Sequence, residues 1–283
     1  MVEYTKMVIS GGGINGIAIV GAISEFVKHN DIRKIKEIMG VSVGSIIALL
    51  VSIGYETEEI EDLFQNIRMD KFTEYELHNI FETYGVDSGT MSKKLLKAVL
   101  ANKDYNVDLT FSNLYESRGI KLIVAGTNLT LGRSEYFSVD NHPNMEVVDA
   151  VRISMSFPLM YSPVEFEGSM YVDGGVLSPY PIEYFEGAED VIGFLINRND
   201  VLPHDKETHY DTSSLDKYLY SLLFNILDAY QDRCYIGYEK NTVFMNKGDL
   251  VKNVLSFDLT KQVKKDLMDR GRECYLKFIG KSD

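Results

Sequence analysis

Apolar and polar positions along the first part of the chain follow two rhythms in turn. Residues 6–10 are a short apolar run rich in β-formers, stopped by Gly11, Gly12 and Gly13. From 14 to 28 the apolar residues Ile17, Val20, Ile23 and Val27 fall at helical spacing. A second strand is read over 35–41, and Ile46, Leu49, Leu50 and Ile53 then return to the helical period. The pattern predicts strand, glycine loop, helix, strand, tight turn, helix. That is a βαβα unit with a parallel pair of strands. A right-handed crossover places both strand C-termini on one edge of the sheet, so the glycine loop and the second turn are expected to be neighbours.

Further along, a helix is read over 57–67, capped by Thr57 with Glu59 in its first turn. Residues 70–113 are polar, mostly helical or loop-like, with no strong strand; they are the candidate for a helical cap over a site. Strands follow at 121–127 and, weaker, at 135–138, with a short helix at 146–154 leading to Phe157 and Pro158. Strands at 169–172 and 191–196, a helix at 215–235 with an apolar stripe from Leu219 to Tyr230, a strand at 254–258 and a helix at 261–279 complete the chain. The stripe (Leu219, Leu222, Leu223, Ile226, Leu227, Tyr230) is expected to face the core. The alternation argues for an α/β fold, a three-layer α/β/α sandwich with a mainly parallel central sheet. It is read as a single domain over 1–283, with its core motifs in 6–196 and C-terminal helices and a strand in 215–279.

Composition narrows the functions. The 283 residues are 45% hydrophobic, enough for one sizeable core, and no linker, repeat or low-complexity tract divides them. A formal net charge of −13 argues against nucleic acid, which needs a basic surface, and against strong adhesion to an anionic bilayer. It leaves transient contact with a neutral lipid surface open. The two cysteines, Cys234 and Cys274, show neither metal spacing nor a disulfide framework and fit a reducing compartment. The N-terminus does not read as a signal peptide, and the longest apolar run, around 46–53, is too short to span a bilayer. The expectation is a cytoplasmic protein, peripheral at membranes at most. No metal-ligand spacing is seen, and no cofactor is expected.

Three short segments carry the candidate chemistry. Residues 10–16, SGGGING, sit between a strand and a helix with G-x-G-x-x-G spacing. Glycines there let backbone N–H groups and a helix N-terminus approach an anion. The anion could be a dinucleotide pyrophosphate or the oxyanion of an acyl transfer, and a merely tight turn is equally open. Residues 40–44, GVSVG, have the G-x-S-x-G pattern of a nucleophile elbow in the strand–turn–helix context it requires. Gly40 and Gly44 make room for a sharp turn that lifts the Ser42 hydroxyl off the sheet. A dinucleotide fold instead wants an acid at the end of that strand to hold the ribose, and the strand ends in Gly-Val-Ser. Asp173, Gly174 and Gly175 follow another strand. Asp-Gly is commonly only a turn, but a strand-end Asp of the same sheet could reach a Ser at an elbow and serve as its general base.

A Ser-Asp-His triad in the chain order of the α/β-hydrolases would need a histidine after Asp173. Of the five histidines (His29, His78, His142, His204, His209), only His204 and His209 qualify, and both lie in the polar stretch 197–214 and read as solvated. The reading favoured is a Ser42–Asp173 dyad without histidine.

The three motifs in this order resemble those of the patatin-like phospholipases. The segment 150–158, AVRISMSFP, with Tyr161, Pro163 and Val164 after it, is similar to the family's stretch before its catalytic Asp, and 178–181, SPYP, to the stretch after it. The resemblance implies Ser42 as nucleophile and Asp173 as base. It implies an oxyanion hole from the backbone N–H groups of Gly11, Gly12 and Gly13, with Gly16, Gly40, Gly44, Gly174 and Gly175 as motif glycines. The activity implied is hydrolysis of fatty-acyl esters of phospholipids or other lipids through an acyl-enzyme. An acyltransferase on the same dyad, or a nucleotide-binding protein using the glycine loop, are the alternatives. Asn15 stands where many members of the family carry Arg or Lys. Phe157, Leu159, Met160 and Tyr161 are candidates to line an acyl channel, or plain core.

Overall fold

The computed structural model describes residues 2–68, 79–197, 212–231, 233–246 and 259–280. Ten strands and nine α-helices are found among them. The parallel core of the sheet runs β10 (Thr242–Asn246), β9 (Val191–Asn197), β1 (Lys6–Ile9), β2 (Glu37–Gly40) and β4 (Lys121–Asn128). Antiparallel strands extend it: β5 (Arg133–Phe137) and β8 (Ser169–Asp173) on β4, and β7 (Val164–Phe166) on β8. A separate pair joins β3 (Gly85–Asp87) to β6 (Leu159–Tyr161). The α/β/α arrangement with a mainly parallel sheet is as the periodicity predicts.

Period-2 alternation divides each buried strand between two cores. Met7, Ile9, Ile38 and Val124 join the larger core, while Val8, Met39 and Ile123 join a smaller one on the opposite face. The larger core is filled from α1 (Gly16–His29), α2 (Val43–Ser52), α7 (Val147–Ser154) and α9 (Lys261–Phe278). α1 and α9 pack backbone to backbone. A Cβ on Gly21 would collide with the Met268 carbonyl, and one on Gly271 with the Ala18 carbonyl, so only glycine permits so close a crossing. The smaller core is covered by 3-10 turns at Gly174–Val176 and Ile182–Phe185, with Tyr180, Ile182 and Phe185 pointing in.

Several expectations are corrected. α3 (Thr57–Asn66) is capped by Glu56, not Thr57: the Glu56 N–H donates to Glu59 Oε2 at 2.8 Å. Within the stretch read as a cap, α4 (Asn79–Thr83), β3, α5 (Thr90–Ala101) and α6 (Phe111–Arg118) are seen; residues 70–78 lie outside the described residues. Strands β3, β6, β7 and β10 went unread because each is only three to five residues long and draws its pairing from distant partners. The strand expected at 254–258 and the stretch around His204 and His209 lie outside the described residues.

The largest correction concerns α8 (Leu215–Gln231). Its stripe does not face the core alone. Phe224 and Leu227 turn inward, but Leu222, Ile226 and Tyr230 are 48%, 60% and 46% exposed, and Leu215 and Tyr218 are exposed as well. The run 218–227, YLYSLLFNIL, carries no charge, and Tyr218, Leu222 and Ile226 leave apolar surface exposed among the described residues. Among the described residues no helix is long and apolar enough to cross a membrane.

Candidate active site

The site is assembled on one edge of β4. Val124 pairs with both Gly40 and Phe137, and Gly126 with both Glu135 and Asp173. A strand residue has one partner on each side, so β5 takes one edge and β2 and β8 share the other, end to end. β2 runs parallel to β4 and β8 antiparallel. Their C-terminal ends therefore meet, and that junction places Ser42 beside Asp173.

Ser42 occupies the turn from β2 into α2 with φ 53° and ψ −127°. This conformation is costly for a residue with a side chain and persists only where the surroundings hold it. Here they do. The Ser42 carbonyl accepts the Ser45 N–H at 2.9 Å and the Ser45 hydroxyl at 2.6 Å, and the Ser42 N–H donates to Ser154 Oγ at 2.9 Å. Glycine on either side makes the bend sterically possible. A Cβ on Gly40 would strike the Gly44 carbonyl and Ser45 Cα, and one on Gly44 would strike the carbonyls of Ile9 and Ser10.

Asp173 is 1% exposed at the end of β8. Its Oδ1 accepts the Gly175 N–H at 2.7 Å, and its backbone N–H donates to the Ser156 carbonyl at 2.9 Å. Burial pushes the carboxyl up to about 7, against the opposing pull of the Ser42 hydroxyl and the Gly175 N–H. Oδ2 is buried and completes no hydrogen bond of ordinary geometry among the described residues. The group is thus a carboxylate kept from water, with an oxygen unengaged and a hydroxyl beside it.

The glycine loop closes over the same spot. A Cβ on Gly11 would stand 3.3 Å from Ser42 Cβ. Ser10 Oγ donates to the Gly11 carbonyl at 2.8 Å and accepts the Ile196 N–H at 3.1 Å, so β1 and β9 fix the loop from below. The Gly11 N–H is already engaged, in a long bond of 3.3 Å to the Pro179 carbonyl. Gly12 caps and Gly13 opens the 3-10 turn Gly13–Asn15, where N–H groups lack intrahelical acceptors. Asn15 is fully buried inside this turn, and Gly16 leaves room for Val43 against the start of α1.

A cavity of about 210 Å³ opens from Ser42, Asp173 and the loop. Its walls are apolar: Ile17 of α1, Leu63 and Phe64 of α3, Leu96 and Val99 of α5, and Phe224 of α8. Of the four channel candidates, Phe157, Met160 and Tyr161 line it and Leu159 does not. Phe157 stacks on Phe224 at 5.3 Å, joining that wall to α8. Among the described residues no histidine lines the cavity; His78, His204 and His209 lie outside them. His29 lies at the far end of α1 beside Glu25 and Tyr275, and His142 packs on Phe137 and Phe166. Motif reading gave no role to Ser10, Ser154, Ser156 or Pro179. Ser156 and Pro179 meet the motifs through their carbonyls, and Ser10 and Ser154 through hydroxyls bonded to backbone groups, contacts that leave no spacing signal; 150–158 and 178–181 were the visible hints.

A strained serine elbow and a buried carboxylate thus lie under a glycine loop at the mouth of an apolar cavity. A profile of the patatin-like phospholipases matches residues 7–186, and the chain belongs to that family. It is 36% identical over 206 residues to an uncharacterized protein of Acanthamoeba polyphaga mimivirus, covering 70% of this chain and 68% of that one. It is 31% identical over 186 residues to a probable lipid hydrolase of Invertebrate iridescent virus 6, covering 64% and 62%. Among solved structures, VipD from Legionella pneumophila superposes with a TM-score of 0.66 at 16% identity, over 98% of this chain and 67% of that one. The effector ExoU superposes at 0.52 and 14% identity over 98% and 53%. The family and its relatives make this chain an ester hydrolase of the lipid-hydrolase class.

Proposed function

We propose that the protein cleaves fatty-acyl esters of phospholipids or related lipids with Ser42 as nucleophile and Asp173 as sole base, through an acyl-enzyme. The observation that carries this reading is the buried Asp173 carboxyl, raised to about 7 and left with an open oxygen beside the Ser42 hydroxyl, at a cavity that no histidine among the described residues lines. A base with a pKa near neutrality is both ionised and proton-hungry at working pH.

Asp173 takes the proton from Ser42 Oγ as Oγ attacks the ester carbonyl carbon. The carbonyl oxygen becomes an oxyanion, held by the N–H groups of Gly12 and Gly13; that of Gly11 would join after giving up its long bond to Pro179. Collapse breaks the C–O bond, and the leaving alcohol takes the proton from Asp173. Water then gives a proton to Asp173 and attacks the acyl carbon, and fatty acid leaves as Ser42 recovers its proton. Loss of one oxyanion donor typically costs about 3 kcal/mol of activation free energy.

The acyl chain occupies the apolar cavity. The uncharged outer face of α8, on the helix that also walls the cavity, supports transient contact with a neutral lipid surface. The nucleotide alternative loses ground because Ser42 packs against the inner face of the glycine loop, where a pyrophosphate would sit. Turnover of a phosphatidylcholine vesicle panel and of a soluble short-chain ester by wild type, Ser42→Ala and Asp173→Asn tests the proposal. Both variants are expected to lose at least about 10⁴-fold in kcat. Robust hydrolysis by Ser42→Ala would sink it.

A further inference from the structure

Beyond its residues in the cavity wall, the segment 150–158 has no role in the mechanism above, yet it touches both members of the dyad. Ser154 is the last residue of α7 and is fully buried, and its Oγ accepts the Ser42 N–H at 2.9 Å. Two residues on, the Ser156 carbonyl accepts the Asp173 N–H at 2.9 Å. Between them the chain leaves the helix with Met155 N–H on the Val151 carbonyl and Ser156 N–H on the Ile153 carbonyl. One turn of backbone therefore holds the nucleophile on one side and the base on the other, although these residues come from different strands.

The turn is itself braced. Arg152, buried one turn earlier, donates to Ser156 Oγ, and Ser156 Oγ donates back to the Arg152 carbonyl at 2.8 Å. The same guanidinium donates to the Ser88 carbonyl at 2.9 Å and the Ser162 carbonyl at 3.0 Å, and lies 5.5 Å from the centre of the Tyr161 ring. Those carbonyls follow β3 and β6, the latter carrying the cavity-lining Met160 and Tyr161. Substrate wall, turn and dyad are thus one connected block.

The geometry points to Ser154 as a positioning residue of the reaction, holding the Ser42 backbone in its strained conformation so that Oγ faces the Asp173 carboxylate. The role rests on the Ser42–Asp173 reading. Ser42 at φ 53° gains by relaxing, and the Ser154 hydroxyl is the acceptor its N–H would lose on doing so. Nothing in this role requires Ser154 to touch substrate; it acts through the position of Ser42 alone.

The test compares Ser154→Ala, Ser154→Thr and Ser52→Ala. Ser52 is an equally buried serine whose hydroxyl bonds only within α2, to the Ala48 carbonyl, and it controls for loss of a buried hydroxyl. Ser154→Ala is expected to lower kcat, and the rate of Ser42 labelling by a fluorophosphonate, about 100-fold, as a small displacement of a reacting atom does. KM and the pH of the acid limb should stay unchanged. Ser154→Thr, which keeps the hydroxyl, should recover most of the labelling rate, and Ser52→Ala should lower Tm without changing kcat. A folded Ser154→Ala enzyme within about threefold of wild-type kcat, or an equal loss in Ser52→Ala, overturns the proposal while leaving the dyad intact. Ester turnover that survives Ser42→Ala overturns the dyad and this role with it.

Discussion

Asp173 and Asp87 are two solutions to the same local problem. Each ends a short strand, each is essentially unexposed, and each accepts the N–H of a glycine two residues on through Oδ1, at 2.7 Å and 2.6 Å. In both, the sequence reads Asp-x-Gly. What differs is the company. Asp87 lies within electrostatic reach of the buried Arg152, and the two charges attract. Among the described residues the Asp173 carboxyl meets only the Ser42 hydroxyl and the Gly175 N–H, and burial drives it up to about 7. A buried carboxylate with a counter-charge suits a structural role; one without suits the base proposed for Asp173.

That contrast can be broken at several points. Asp173→Asn should abolish turnover, by about 10⁴-fold or more, while the protein remains folded. Asp87→Asn should leave kcat within about tenfold; equal losses in a side-by-side turnover assay would erase the distinction. Stability against pH separates the two next. Between about pH 4 and pH 7 native Asp173 holds a proton that the unfolded chain has released, so stability falls as pH rises through that window and levels off above it. The cost is on the order of 4 kcal/mol where the full shift is felt. Urea melts at pH 5 and pH 8 should show this slope in wild type and lose it in Asp173→Asn.

A smaller effect is expected on the other carboxylate. Asp87→Asn leaves Arg152 buried without its charge partner and should cost about 1–3 kcal/mol of stability, read in the same melts. An Asp87→Asn protein as stable as wild type would remove Arg152 from the comparison. The mildest test is the rate itself. Asp173 must be ionised to act as base, so kcat/KM should fall about tenfold per unit as pH drops below about 7 and be flat above it. An acid limb near pH 4 would mean that Asp173 is not held in the dry environment that raises it.

The first half of the site was readable for a local reason. Ser42 and the glycine loop belong to consecutive β–α turns, and the glycines around them are required by backbone approaches within that unit, such as Gly44 against Ile9 and Ser10. Asp173 was readable only through its place in an ordered motif set, since Asp-Gly alone describes Asp-turns of every kind. Ser154, Ser156 and Pro179 were not readable as contacts. Ser156 and Pro179 reach the motifs through carbonyls, which every residue has, and Ser154 through a hydroxyl whose target lies on another strand. The outward face of α8 was misread for a related reason: helical period shows that a stripe is apolar but not how many sides have protein beneath them.

By itself, then, the sequence determined the α/β class, the elbow at Ser42, the glycine loop beside it and the candidacy of Asp173. Each depends on residue type and spacing within a turn or a strand, where covalent proximity leaves few alternatives. Tertiary structure decided the rest. It set β2 and β8 end to end on one edge of β4, so that the two strand ends meet. It buried Asp173 against a hydroxyl and a backbone N–H while setting Arg152 within electrostatic reach of Asp87, and it put an apolar cavity beneath α8. Burial and the pairing of charges are properties of what surrounds a residue, and what surrounds Asp173 is drawn from segments far along the chain.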